Sequence, residues 1–316
     1  MIKILANDGI HPDGKLLLEE SGFQVDTEKI PPEELPEKLP EYDAIIVRSA
    51  TKVRKDLIDK CPNLKVIARA GVGLDNIDHD YARSIGRVVM NTPAASSQAV
   101  AELVFGHMFT VARYLHQANR DMAIGDFKKL KKTYSKGFQL RGKTLGIIGF
   151  GRIGQETARI AIGMGMNVLP VDVLPDLDVN IDLEVHQSDQ VKLSVHVPMV
   201  DMDTMLRNSD FVTIHVPTAK DAILGEYEFQ IMKDTATVIN TARGGMIDED
   251  ALLDALDKGE IAFAALDVFE NEPNPRKELL NHPRISVSPH IGGSTVEAQR
   301  NIGMELAEKI IAYFSK

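Results

Sequence analysis

Residues 144–155, Thr-Leu-Gly-Ile-Ile-Gly-Phe-Gly-Arg-Ile-Gly-Gln, constrain this chain more than any other stretch. An apolar run ending in glycine reads as a buried parallel strand, and the residues from Arg152 onward read as a helix. Gly149, Gly151 and Gly154 stand at the turn in G-x-G-x-x-G spacing, with Arg152 and Ile153 inside it. The first glycine permits the tight reversal and the second lets a pyrophosphate approach the backbone. The third lets the helix pack on the strand. Free N–H groups in the helix's first turn, at the positive end of its dipole, then hold phosphate. Such a motif alone is weak, so its context decides. Here Ile153, Thr157/Ala158 and Ala161/Ile162 follow helical spacing, Gly163 and Gly165 end the helix, and 167–172 reads as a second strand. Asp172 lies 18 residues beyond Gly154, near the distance expected of the acid that binds an adenosine ribose.

The 316 residues suffice for two domains with buried cores. Before the glycine turn the chain repeats a strand–helix unit. Strands read over 2–7, 44–48, 64–69 and 87–91, and helices over 12–21, 52–61 and 77–85. That alternation implies a parallel, doubly wound sheet. The fold class expected is α/β, with two doubly wound (Rossmann- and flavodoxin-like) domains and a cleft between them. In such sheets ligands gather beyond the C-terminal ends of the strands. Three strand ends stand out there: Arg48-Ser49, Arg69-Ala-Gly71-Val72-Gly73, and Asn91. The glycine-bearing loop offers N–H groups to an anion, with both arginines near; each arginine also reads as an ordinary surface residue. Ser96 or Ser97 caps a long helix expected to run to about Gln117 and to link the domains. Its apolar stripe, from Val100 to Leu115, reads as core or interface, and His107 within it as a core histidine before a ligand.

Net charge of −10 makes nucleic acid or an acidic membrane a poor partner. No apolar run approaches the length of a membrane span, and the N-terminus is too short and strand-like for a signal peptide. Cys61 is the single cysteine, which excludes an internal disulfide or a cysteine-based metal site; no metal is expected. It reads as a buried structural thiol, and a reducing cytoplasm as the simplest location. Lysines 128, 129, 131, 132 and 136 form one basic run, either a solvated face or an attraction for a phosphorylated substrate. Pro170 falls inside what reads as an interior strand, and residues 176–205 receive no role. Phe211-Val-Thr-Ile-His215-Val216-Pro217 reads as a strand ending in a loop on the cofactor side.

Three later strands each deliver a polar group. Asn240-Thr241-Ala242-Arg243-Gly-Gly245 carries the arginine. Leu266-Asp267-Val-Phe-Glu-Asn-Glu272-Pro273 carries two acids, and Ser288-Pro-His290-Ile-Gly292-Gly293 the histidine. Residues 294–297 read as a capping box for the last helix. Parallel strands bring all three groups to the edge that holds the glycine turn. Hydride transfer from an alcohol carbon needs an acceptor for the hydroxyl proton, and imidazole suits that near neutral pH. A carboxylate orients the imidazole and stabilises its charged form. A guanidinium grips a substrate carboxylate and polarises the forming carbonyl. The expected roles are His290 as acid/base, Glu272 as its partner and Arg243 as clamp.

On these motifs the chain resembles the D-isomer-specific 2-hydroxyacid dehydrogenases along essentially its whole length. The resemblance implies NAD as cofactor, held by Gly149, Gly151, Arg152, Ile153, Gly154, Asp172, His215, Val216, Pro217, Thr241, Ala242, Asp267 and Gly292. In it Asp267 faces the nicotinamide carboxamide. Within the family, the segments at 47–53, 69–76, 90–93 and 292–299 are most similar to the D-3-phosphoglycerate dehydrogenases. That likeness implies oxidation of 3-phosphoglycerate to 3-phosphohydroxypyruvate, which opens serine synthesis. Arg48, Ser49, Arg69, Gly71, Val72, Gly73 and Asn91 would then meet the substrate. It further implies a substrate domain of 1–96 plus 290–316, a nucleotide domain of 97–289, and a homodimer. Ending at Lys316, the chain is expected to lack a C-terminal regulatory domain and serine feedback. Asp172, with no Arg or Lys in 173–177, favours NAD over NADP. A reductase of glyoxylate, hydroxypyruvate or another small 2-oxo acid is the alternative enzyme. An NAD-sensing, corepressor-like binding protein is the alternative of another class.

Overall fold

The computed structural model describes residues 1–174, 179–184 and 192–315. The first series runs β1 (Lys3–Ala6), α1 (Pro12–Glu20), β2 (Gln24–Asp26), α2 (Leu35–Lys38), β3 (Ala44–Val47), α3 (Lys55–Lys60), β4 (Val66–Arg69), α4 (His79–Ser84) and β5 (Val88–Asn91). Three helices follow: α5 (Ser97–Ala112), α6 (Leu115–Met122) and α7 (Phe127–Thr133). The second series opens with β6 (Thr144–Ile148), α8 (Arg152–Gly163), β7 (Asn167–Val171), β8 (Val179–Glu184), β9 (Lys192–Val197) and α9 (Met202–Asn208). It continues with β10 (Phe211–Ile214), α10 (Glu226–Ile231), β11 (Thr237–Asn240), α11 (Glu249–Lys258), β12 (Phe263–Leu266), α12 (Lys277–Asn281) and β13 (Ile285–Val287). Helix α13 (Val296–Phe314) closes the chain. The chain divides into two compact units, Met1–Ala99 with Gly293–Lys316, and Val100–Gly292.

Unit 1 is a five-stranded parallel sheet in the order β2-β1-β3-β4-β5. Side chains alternate across a strand, so each strand feeds two cores. Leu5, Ile45, Val47 and Ile67 pack on one face; Ile4, Ala6, Ala44, Ile46, Val66 and Ala68 pack on the other with Leu306, Ala307 and Ile310 of α13. Unit 2 is a six-stranded parallel sheet in the order β13-β12-β11-β10-β6-β7. Its central strands β6, β10, β11 and β12 are apolar and almost wholly buried, as strands covered on both faces must be. Strand order reverses beside β6, so the crevice for a ligand opens at the C-terminal ends of β6 and β10.

Four local expectations change. Strand β7 is the edge of its sheet rather than an interior strand, and there Pro170 removes no ladder donor that a neighbour needs. The helix expected to reach Gln117 stops at Ala112. Tyr114 turns left-handed (φ 55°), the Phe138 amide caps the Ala112 carbonyl, and α6 restarts at Leu115. The final helix is capped by Thr295, whose hydroxyl accepts from the Ala298 amide, one residue later than the expected box. Within 176–205 the described residues form an antiparallel hairpin, β8 against β9, which buries Ile181 and Val197 against Ala158 and Ala161 of α8. Residues 175–177 of the segment weighed for NADP selectivity lie outside the described residues.

Candidate active site

The glycine turn follows β6 as its local chemistry requires. Gly149 is left-handed (φ +89°), and a Cβ there would lie 2.7 Å from both the His215 carbonyl oxygen and Val216 Cγ1. A Cβ on Gly154 would overlap the Gly149 carbonyl oxygen, so α8 sits directly on the turn. Gly151 is the N-cap of α8, with no side-chain cap and open space where a Cβ would point. That uncapped, uncovered first turn of a 12-residue helix fits a pyrophosphate. Asp172 Oδ2 accepts from the Phe150 amide at 2.7 Å and Oδ1 from the Leu174 amide at 3.2 Å, which ties the end of β7 to the turn. A carboxylate has about four acceptor positions, so this one keeps room for hydroxyl donors. Arg152 is exposed and Ile153 half-buried in the first turn of the helix.

His215 does not offer its ring to a ligand. Its Nε2 lies 3.2 Å from Thr213 Oγ1 and 3.3 Å from Thr157 Oγ1, and its buried Nδ1 has no hydrogen-bond partner among the described residues. Burial pushes its pKa down to about 3. What it gives the turn is its backbone, with the half-buried Val216 and exposed Pro217 continuing the loop.

After β11, Asn240 clamps its own loop. Its Oδ1 accepts from the Ala242 amide at 3.0 Å and its Nδ2 donates to the Arg243 carbonyl at 2.8 Å. Thr241 and Ala242 are buried, and Arg243 Nη1 donates to the Ala242 carbonyl at 2.6 Å. Gly244 then touches the chain beyond β12, where a Cβ would overlap the Phe269 carbonyl. This contact joins the arginine loop to the segment carrying Glu272. Glu249 secures that segment from below, its Oε1 accepting from the Glu270 amide at 3.0 Å.

Glu272 and His290 meet. His290 Nδ1 lies 2.7 Å from Glu272 Oε2, while Glu272 Oε1 accepts from the Phe269 amide at 3.1 Å. A carboxylate accepts only, so Nδ1 carries the proton and the neutral ring presents Nε2 as base. Both side chains remain half-exposed, open to a reactant. His290 itself is left-handed (φ 54°). Asp267, with no exposed surface, holds the loop around it: Oδ1 accepts from Ser288 Oγ at 2.5 Å and the Ile291 amide at 2.9 Å, and Oδ2 from the Gly292 amide at 2.9 Å. Sequence reading passed over Ser286 and Ser288, which bond to His107. The available signal was their period-two spacing along and just beyond β13, on one face of the extended chain.

Unit 1 builds its strand-end loops around backbone bonds. Exposed Arg48 and Ser49 sit in a loop whose Arg48 and Thr51 amides both donate to Asp8 Oδ2, at 2.8 and 2.9 Å. Asn76 Nδ2 donates to the Arg48 and Thr51 carbonyls from the other side. The Arg69 guanidinium folds across Gly71, where a Cβ would overlap it. Asn91 Nδ2 donates to the Val72 carbonyl at 2.6 Å, holding the half-buried Val72–Gly73 stretch.

Residues 105–292 match the family profile described as D-isomer specific 2-hydroxyacid dehydrogenase, NAD binding domain. The chain is 41% identical over 315 residues to a hydroxypyruvate reductase of Thermotoga maritima, covering 98% of this chain and 97% of that protein. It is 43% identical over 312 residues to a D-3-phosphoglycerate dehydrogenase of Methanocaldococcus jannaschii, covering 98% of this chain but 57% of that one. Among solved structures it superposes on a glyoxylate reductase from Paecilomyes thermophila with a TM-score of 0.84 at 29% identity, covering all of this chain and 96% of that one. Among the described residues no helix is long and apolar enough to cross a membrane.

Proposed function

The chain belongs to the D-isomer specific 2-hydroxyacid dehydrogenase family, and on that premise we propose that it oxidises D-3-phosphoglycerate to 3-phosphohydroxypyruvate with NAD. The observation that carries turnover is the 2.7 Å bond between His290 Nδ1 and Glu272. It fixes the tautomer in which Nε2 takes the proton of the substrate hydroxyl, while Glu272 stabilises the imidazolium that results. Arg243 grips the substrate carboxylate and polarises the oxygen as it becomes a carbonyl. The nicotinamide, when bound, supplies the acceptor for the hydride leaving the same carbon. Gly151 and the first turn of α8 hold its pyrophosphate. Asp172 accepts from the ribose hydroxyls and repels a 2′-phosphate, which favours NAD over NADP. Asp267, enclosed and bonded three times within its own loop, serves the cofactor site by holding that loop in place.

In unit 1 the loops bearing Arg48, Ser49, Arg69, Gly71, Val72, Gly73 and Asn91 are proposed to recognise substrate. Two guanidiniums among them suit a molecule with carboxylate and phosphate, and the relative from M. jannaschii supports that choice. The similarly close relative from T. maritima favours a second reading, reduction of hydroxypyruvate. A homodimer fits the apolar Phe109, Leu115, Met122, Ile124 and Phe127 exposed along and between α5, α6 and α7, and a cytoplasmic setting fits the chemistry.

NADH formation from 3-phosphoglycerate, beside NADH consumption with hydroxypyruvate and glyoxylate, separates the readings. Turnover of the phosphorylated acid alone supports the first, turnover of unphosphorylated acids alone the second. NAD binding with no turnover on any acid refutes both. His290→Ala is expected to lose roughly 10²–10⁴ in kcat yet to bind NADH as tightly. An equal loss of NADH affinity would refute its role.

A further inference from the structure

His107 lies on α5, buried beneath β13, and the reaction described above does not use it. Its Nδ1 is 3.0 Å from Ser286 Oγ and its Nε2 2.9 Å from Ser288 Oγ. The direction of every bond in this group follows from Asp267. That carboxylate only accepts, so the Ser288 hydroxyl hydrogen, 2.5 Å away, points at Asp267. Ser288 Oγ therefore has only lone pairs left for His107, and Nε2 must carry the ring hydrogen. Burial lowers the pKa of His107, which keeps the ring neutral; Asp267 opposes that shift and His116 adds to it. Nδ1 is then an acceptor and takes the Ser286 hydroxyl hydrogen.

We propose that His107 is a positioning residue for His290: as the Nε2–H tautomer it aims the Ser288 hydroxyl at Asp267, and Asp267 pins the loop that presents the histidine. Every donor in the chain points the same way, from Ser286 through His107 and Ser288 to the carboxylate. Asp267 holds the loop on both sides of His290, at Ser288 before it and at the Ile291 and Gly292 amides after it. The His290 amide donates back to the Ser288 carbonyl at 3.1 Å, closing the turn in which His290 is left-handed. Without the Nε2–H, the Ser288 hydroxyl is free to turn towards other acceptors, and Asp267 loses the bond that anchors the loop's entry. The inference rests on the proposed acid/base role of His290.

The test compares wild type with His107→Leu, which removes both bonds, and His107→Gln, whose amide donates to Ser288 and accepts from Ser286. Ser288→Ala serves as an independent break in the chain. In His107→Leu and Ser288→Ala, kcat falls about ten- to a hundredfold while KM and NADH affinity stay within about twofold, and Gln at 107 restores most of kcat. Nuclear magnetic resonance of the imidazoles reads the same chain without substrate. Wild type shows His107 protonated at Nε2 only, and the low-field Nδ1 proton that His290 shares with Glu272 broadens away in His107→Leu. A purely structural histidine would lower the melting temperature and leave that proton and kcat unchanged, which would overturn the proposal. So would a ring protonated at Nδ1. If the wild-type protein turned over no 2-hydroxy or 2-oxo acid, the acid/base reading would fail, and the resonance arm would still decide the positioning.

Discussion

Acid should destabilise this protein through His215. The unfolded side chain takes a proton near 6.5, whereas burial holds the folded one down to about 3. The cause is visible. Thr157 Oγ1 gives its hydrogen to the Ile153 carbonyl at 2.8 Å, so it accepts the single N–H of the neutral ring at Nε2. Nδ1 is enclosed with no partner among the described residues, and an imidazolium would leave its second N–H bare there. Because the folded pKa is depressed, the unfolded chain binds the extra proton between those two values. The stability contribution is therefore complete above pH 6.5 and lost progressively as pH falls towards 3. Each pH unit inside that window is worth about 1.4 kcal/mol, so acidification to pH 5 costs about 2 kcal/mol. Against a total of roughly 5–15 kcal/mol, that is a large fraction.

Urea unfolding at pH 7.5 and 5.0 measures this, followed by far-ultraviolet circular dichroism because the chain has no tryptophan. Wild type should lose about 2 kcal/mol more than His215→Gln between the two pH values; carboxylates common to both cancel in the difference. NADH affinity should weaken over the same window in wild type only, since the His215 carbonyl walls the glycine turn. Losses equal to within about 0.5 kcal/mol would refute the reasoning, because a measurable uptake difference is what linkage requires.

Gly154→Ala forces a Cβ onto the Gly149 carbonyl and should cost about 1–3 kcal/mol of stability, with a matching fall in NADH affinity, read by melting and titration. In Asp8, burial opposes ionisation, but donors from the Thr51 and Arg48 amides, the Thr51 hydroxyl and nearby Lys29 outweigh it and hold its pKa below the usual value. Its stabilisation is thus intact at neutral pH and lost only as pH falls through that lowered value. Asp8→Asn places a donor against donors, and we expect about 1–3 kcal/mol of destabilisation and a raised substrate KM with kcat retained. Cys61 is fully buried with its pKa pushed up to about 11 by burial, so a disulfide reagent at pH 8 should label it only once urea unfolds the chain.

What could be read from the sequence was what local geometry dictates. The glycine turn announces itself because three glycines fall within six residues, two where a Cβ would collide with the chain and one left open at the start of α8. The Arg243, Glu272 and His290 loops were legible because parallel strands send their C-terminal ends to one edge, whatever the packing. Features that depend on neighbours were not legible. Pro170 could not be placed on an edge strand before the strand order was known, and the break at Tyr114 depends on Phe138 reaching Ala112. His215 looked like a ligand-side residue because its position at a strand end is right, but its ring turns inward against Thr157 and Thr213. The partners of His107 lie 179 and 181 residues away, beyond any periodicity.

The left-handed backbone of His290 ties these threads together. That conformation disfavours a residue with a Cβ by about 1–2 kcal/mol, although histidine adopts it more readily than most. A free loop would relax out of it, and the imidazole would swing away from Glu272. Opposing that are three bonds from the loop to one buried carboxylate, each to a charged acceptor and each worth about 1.5–3 kcal/mol. The balance favours the strained form by a margin larger than the strain. The same strain makes the margin conditional on Asp267 keeping all three donors. An exposed carboxylate, satisfied by water, would need none of the donors that Ser288, Ile291 and Gly292 supply, and it would hold nothing. Burying it is therefore what converts three ordinary hydrogen bonds into a fixed orientation for the acid/base group.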